Sequence, residues 1–99
     1  MQYKEIEALV IEWADEKGIL EKATPLAQSN KTLEEALEIN TAILNKDKHE
    51  LIDALGDTLV TIIIQAKLND LDLVKCLESA YNVISNRTGK MINGTFIKD

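Results

Sequence analysis

Apolar residues in the first segment recur at Ile6, Leu9, Val10, Trp13 and Ala14, with charged residues on the opposite side. This spacing predicts an amphipathic helix from Gln2 to about Lys17, stopped by Gly18 at the position after the cap. Thr24-Pro25 reads as an N-cap followed by proline at the first helical position. It opens a second helix to about Asn45, carrying Leu26, Leu33, Leu37 and Leu44. The early part of that helix, Ser29 to Thr32, is polar and is expected to be irregular. A third helix starts near Asp47, where Asp47 and Glu50 stand as a capping box with Asp in place of Ser or Thr. From Leu51 to Leu68 nearly every face is apolar, the pattern of a central, buried helix. The run Val60-Thr61-Ile62-Ile63-Ile64 suits a strand locally, but its length and the absence of turn residues decide for helix. Asn69 to Asp72 is a turn and cap, and Leu73 to about Asn86 is a fourth helix. Gly89 and Gly94 bound a short tail, in which Met91 to Ile97 reads as a turn with extended flanks. The expected fold is all-α, a four-helix bundle with a short extended C-terminal tail.

Size sharpens this picture. A chain of 99 residues fits a single domain spanning residues 1–99. A chain this short buries only roughly 60–68% of its unfolded surface, so oligomerisation is expected to complete the bundle. The net charge of −6 disfavours nucleic acid as a partner, because phosphate backbones call for clustered Lys and Arg. It leaves room for a small polyphosphate, since a divalent metal reverses the local sign. The single cysteine, Cys76, excludes an internal disulfide framework and suits a reducing compartment. Its apolar neighbours make it a small core residue. The acidic start without an apolar stretch predicts no secretory signal, and no run approaches the roughly 20 apolar residues of a membrane span. A cytoplasmic protein with no membrane partner is expected.

The acids fall into stripes. Glu35 and Glu38 stand at i and i+3 on one face of the second helix, with Glu34 about 100° away. Glu50, Asp53 and Asp57 stand at i, i+3 and i+7 on the third, a stripe that continues to Thr61 and Ile64. Asp57 lies at the mouth of the apolar section. Facing carboxylates repel, and desolvation raises their pKa values. A hard divalent cation with oxygen ligands removes that conflict and completes its shell with substrate phosphate. The implied chemistry is metal-assisted attack of water on phosphorus. Ordinary readings stand beside this one: an ExxE helix face is commonly solvated, Glu50 doubles as a capping residue, and Asp53 could pair with a lysine.

At these residues the chain resembles the MazG-like, all-α nucleoside triphosphate pyrophosphatases, in particular the short single-domain versions of phages and bacteria. The resemblance runs through Trp13-Ala14, Ala23 to Gln28, Lys31, and Glu34-Glu35-Ala36-Leu37-Glu38. It continues in Asp53 to Val60 and Cys76 to Asn82, and closes with Arg87 to Phe96. It implies that Glu35 and Glu38 are metal ligands of an EExxE motif, with Asp57, after Gly56, the Asp of the second, ExxD motif. The Glu of that second motif falls on Ala54, a departure. Asp53, the i,i+4 neighbour of Asp57, or Glu50 takes the missing role. The resemblance implies Mg²⁺, or Mn²⁺, as cofactor, a nucleoside triphosphate as substrate, and assembly as a homodimer or homotetramer.

A triphosphate also needs cations. Between Glu78 and Asp99 there is no acid, while Arg87, Lys90 and Lys98 occur. By resemblance Asn82, Arg87 and Lys90 are substrate-binding candidates, with Lys31; compensation of a helix C-terminus is the ordinary role for Arg87 and Lys90. Trp13 either stacks on a base or, as is commoner, fills a core. His49, among charges, is a surface residue. The resulting expectation is a Mg²⁺-dependent pyrophosphohydrolase with Glu35, Glu38 and Asp57 at its catalytic centre. The alternatives are a non-catalytic helical dimerisation or adaptor module and, disfavoured by charge, a small DNA-binding regulator.

Overall fold

The computed structural model describes all 99 residues. Five helices are followed by a hairpin: α1 (Tyr3–Glu16), α2 (Ile19–Lys22), α3 (Pro25–Leu44), α4 (Lys48–Leu68), α5 (Leu73–Ile84), β1 (Gly89–Ile92) and β2 (Thr95–Lys98). The chain is mostly helical, as expected, but it is not a four-helix bundle. The fifth helix, α2, is a single turn between Gly18 and Thr24, too short to show a hydrophobic period. The tail is a paired antiparallel hairpin, with Gly89 opposite Lys98 and Ile92 opposite Thr95.

Side-chain caps account for three helix starts. The Thr24 hydroxyl accepts from the Ala27 amide at 3.2 Å, ahead of Pro25. Asp47 accepts from the Glu50 amide at 3.1 Å, and Asp72 from the Val74 amide at 3.0 Å. The expected irregularity at Ser29–Thr32 is absent. Ser29 Oγ donates to the Leu26 carbonyl and Thr32 Oγ1 to the Gln28 carbonyl, so the polar run is absorbed by its own helix.

Helix ends rely on left-handed residues. Gly18 has φ +76° and stops α1 as expected. Lys46 and Asp70 do the same after α3 and α4 without being glycine, at φ 54° and 55°. In both turns the following amide reaches back over the left-handed residue: Asp47 N–H to the Ala42 carbonyl at 3.0 Å, Leu71 N–H to the Ala66 carbonyl at 2.9 Å. The carbonyls of Ala42 and Ala66, in the last turns of the two helices, are thereby satisfied.

The body is the antiparallel α3–α4 pair, with α1 packed against the C-terminal half of α4. Alanines at the contacts, Ala14, Ala42, Ala54 and Ala66, let the backbones approach, and Ile63 and Ile64 fill the space between. Two long-range hydrogen bonds set the helix register. Gln28 Nε2 donates to the Thr61 carbonyl at 3.1 Å, and Gln65 Nε2 to the Pro25 carbonyl at 2.9 Å.

This core is small. Nine residues are buried, and α4 is not covered all round: Ile52, Leu55 and Leu59 face outward. No residue of α5 is buried, and the Cys76 thiol is exposed instead of lying in a core. The accessible surface is 7724 Å², against about 5,700 Å² for a compact monomer of this mass. The radius of gyration is 15.7 Å, against about 13 Å for a compact chain of this length. After its first turn, α5 leads the hairpin away from the body as an arm.

Candidate functional site

The antiparallel α3–α4 pair sets two acidic stretches opposite each other. Glu34, Glu35 and Glu38 on α3 and Glu50, Asp53 and Asp57 on α4 line one cavity of about 180 Å³, with Ala54 as its only apolar wall. All five residues expected as metal ligands therefore share one cavity. Glu34, which the helical period turns about 100° away from Glu35, joins them at the rim.

No basic side chain lines this cavity. The nearest compensation comes from Lys31, whose ammonium lies 3.6 Å from Glu34 and 3.5 Å from Glu35. The Glu34 charge, with the hydrogen bond and charge of Glu35, holds Lys31 above the ordinary lysine value. Lys31 thus braces the outer side of the cavity. Asp53 pairs with His49, at 3.8 Å, and not with a lysine. His49 is on the surface, as expected. Glu50 keeps both of its roles: its amide is capped by Asp47 and its side chain borders the cavity.

A larger groove, about 720 Å³, adjoins the acidic cavity and shares Glu35 and Asp57 with it. Its other walls are Trp13 and Lys17 from the end of α1, Lys22 from α2, and Lys31, Val60 and Ile64 from α3 and α4. Trp13 is 47% exposed, so the core reading of this residue is wrong and the indole flanks an open groove. Lys17 and Lys22 were not apparent as candidates. Their signal is the left-handed Gly18, which turns the chain so that α2 folds back beside the groove. Along the sequence it reads only as a helix stop.

The remaining candidates are elsewhere. Asn82, Arg87 and Lys90 border neither the acidic cavity nor the groove, and none forms a salt bridge. The basic stretch is therefore not beside the acidic site of its own chain, because α5 carries it outward.

The donor chemistry fits a hard divalent cation: every potential ligand in the cavity wall is a carboxylate oxygen. No three ligand-type side chains converge closely enough to form a metal cage; the carboxylates surround the cavity without closing on its centre. Six like charges in so small a space favour a bound cation electrostatically. The groove combines an aromatic wall, apolar patches and three lysines, which suits a ligand with a flat apolar end and an anionic one.

The family model of the MazG nucleotide pyrophosphohydrolase domain matches residues 23–92. An uncharacterized 18.2 kDa protein of Haemophilus phage HP1, from the rep-hol intergenic region, is 32% identical over 63 residues. That alignment covers 64% of this chain and 39% of the phage protein, so the chain spans well under two thirds of that relative. No solved structure matches the chain significantly. No helix is long and apolar enough to cross a membrane.

Proposed function

We infer that this chain, which belongs to the MazG nucleotide pyrophosphohydrolase family, hydrolyses a nucleoside triphosphate to the monophosphate and pyrophosphate with Mg²⁺ or Mn²⁺. Enzymes of the family act on phosphoric anhydrides and are generally dependent on a divalent metal. The observation that carries the reading for this chain is the junction at Glu35 and Asp57. These two carboxylates belong at once to the acidic cavity and to a groove large enough for a nucleoside.

In this reading Glu35, Glu38 and Asp57 hold the metal, and Asp53 or Glu50 takes the place of the family glutamate that is Ala54 here. The bound cation supplies charge neutralisation at the phosphate oxygens and makes water a better nucleophile. Trp13 offers its face to the base, and Lys17, Lys22 and Lys31 attract the phosphates along the groove. Water forms a new P–O bond at the α–β anhydride, the bridging P–O bond breaks, and pyrophosphate leaves. Glu38 pairs with no cation in the chain, so its carboxylate is free for the metal, and the proton of the attacking water passes to solvent water. Glu35 is held by Lys31 and is only 19% exposed at its side chain, so its part is ligation and not proton transfer.

The test is pyrophosphate release from a panel of ribo- and deoxyribonucleoside triphosphates with Mg²⁺. Glu38→Gln and Asp57→Asn should each lower kcat at least ~100-fold while leaving the helical content intact. Wild-type activity retained in both variants would falsify the site. A rise in melting temperature with Mg²⁺ that both variants lose gives a readout independent of turnover.

A further inference from the structure

We propose that Gln28 reads the base of the substrate. Its carboxamide oxygen accepts a hydrogen bond from an exocyclic amine, so that the groove takes cytosine and adenine nucleotides ahead of those whose base ends in a carbonyl. This rests on the function inferred above and names the substrate class for that groove.

The observation is an open acceptor in an otherwise satisfied wall. Gln28 is only 8% exposed, yet it lines the groove together with Trp13. Its Nε2 donates to the Thr61 carbonyl at 3.1 Å. Only the nitrogen of a carboxamide can donate to a carbonyl, so this bond fixes which end of the amide faces α4. Oε1 accepts no hydrogen bond within the chain, and no buried side-chain oxygen or nitrogen lacks a partner. The oxygen therefore opens onto the groove that Gln28 lines. Thr61 beside it is 5% exposed, and its hydroxyl spends its proton on the Thr58 carbonyl at 2.6 Å. The back of the groove thus offers an acceptor and no free hydroxyl proton.

Place along the groove decides which part of a nucleotide arrives there. Gln28, Lys31 and Glu35 stand at i, i+3 and i+7, one stripe of α3. Gln28 lies about 10.5 Å from Glu35 along the helix axis. Glu35 and Asp57 join the groove to the acidic cavity and mark its phosphate end. A nucleotide anchored there points its base toward Gln28, and the group farthest from the sugar meets Oε1. In cytosine and adenine that group is an amine, a donor; in uracil, thymine and guanine it is a carbonyl oxygen. Acceptor then faces acceptor, and a buried oxygen without a donor bears its full desolvation cost. Glutamine pairing with the adenine amine is also the usual match in nucleic-acid recognition.

Trp13 is the only tryptophan, so its fluorescence reports on the groove without any turnover. Wild type with Mg²⁺ is titrated with CMP and AMP, with UMP and IMP, and with the 2-pyrimidinone and unsubstituted purine nucleotides, which carry hydrogen in place of the amine. CMP and AMP should bind roughly 10-fold more tightly than their counterparts. Equal affinities, the reverse order, or no quenching by any nucleotide overturns the proposal. Gln28→Met should lose the preference. Gln65→Met, which breaks the comparable bond to the Pro25 carbonyl outside the groove, should keep it. A preference undiminished in Gln28→Met, or lost equally in both variants, overturns the assignment to Gln28.

A second measurement needs no variant to fold. In ¹⁵N-labelled wild type, the Gln28 side-chain amide resonance should shift on adding CMP and hold its place with the 2-pyrimidinone nucleotide. An unmoved resonance, or equal shifts with both, overturns the proposal. Hydrolysis of the matching triphosphates separates the two claims. Selective binding through Gln28 with no hydrolysis would refute the inferred function and uphold the base reading, whereas hydrolysis of every triphosphate at one rate, with no selectivity in binding, would do the reverse.

Discussion

α4 and α5 are both apolar and both begin on an aspartate cap, yet they end in opposite situations. Ile63 and Ile64 of α4 are buried against α1 and α3, while no residue of α5 is buried. α5 divides its apolar and polar residues the more cleanly of the two, but within one chain only its first turn, at Leu73 and Cys76, shares a wall with α3 and α4. An amphipathic stripe therefore shows that a face needs cover. It does not show that the same chain supplies it.

Two substitutions break or sharpen this contrast. Ile64→Ala should cost about 2–5 kcal/mol in urea unfolding, the usual price of emptying a buried aliphatic position. Leu77→Ser on the arm should change the stability of dilute monomer by less than about 0.5 kcal/mol. Its effect should grow with protein concentration if the arm is covered by a second copy. Equal losses at every concentration would mean that the arm packs on its own body after all.

A smaller effect tests the local origin of the body. Thr24→Ala removes the hydroxyl that caps α3 and should cost about 1 kcal/mol. Thermal melting should show a drop of a few degrees, with the arm's thiol as reactive as before.

The smallest effect is one of pH. Desolvation of the phenol, together with the 2.6 Å hydrogen bond to Glu7 and its charge, pushes Tyr3 from 10.0 up to about 12. The folded state prefers the protonated phenol. Its contribution to stability is therefore complete below pH 10 and is lost as pH rises toward 12. Stability measured across that range should fall less in Tyr3→Phe than in wild type. Since Tyr3 anchors the first turn of α1, equal slopes would remove this link from the account of the body.

The legible parts of the fold were those written in short-range chemistry. Thr24, Asp47 and Asp72 mark helix starts because each side chain satisfies an amide two or three residues away. The acids at i, i+3 and i+7 identified the carboxylates that meet in the cavity. What was not legible depends on how elements cross. Lys46 and Asp70 end helices in a conformation for which glycine is the usual signal. The groove needs α1, α2 and α4 together, so Lys17 and Lys22 gave no sign of themselves and Trp13 resembled a core residue. Cys76 has apolar neighbours along the chain, but its helix carries it into the open. The place of Arg87 and Lys90 relative to the acids is a matter of chain direction after Ser85, which no spacing encodes.

The hairpin has one more consequence. Its two strands pair only with each other, so each presents an outer edge of unpaired amides and carbonyls. Such edges invite strands of other molecules to add to them, the first step toward fibres. Each strand is only four residues long, and Lys90 and Lys98 carry positive charge on strands that also hold Met91, Phe96 and Ile97. Short length and lysine are the usual means of discouraging such growth. Lys90 thus protects solubility, and a variant that replaces it with an apolar residue should be watched for precipitation.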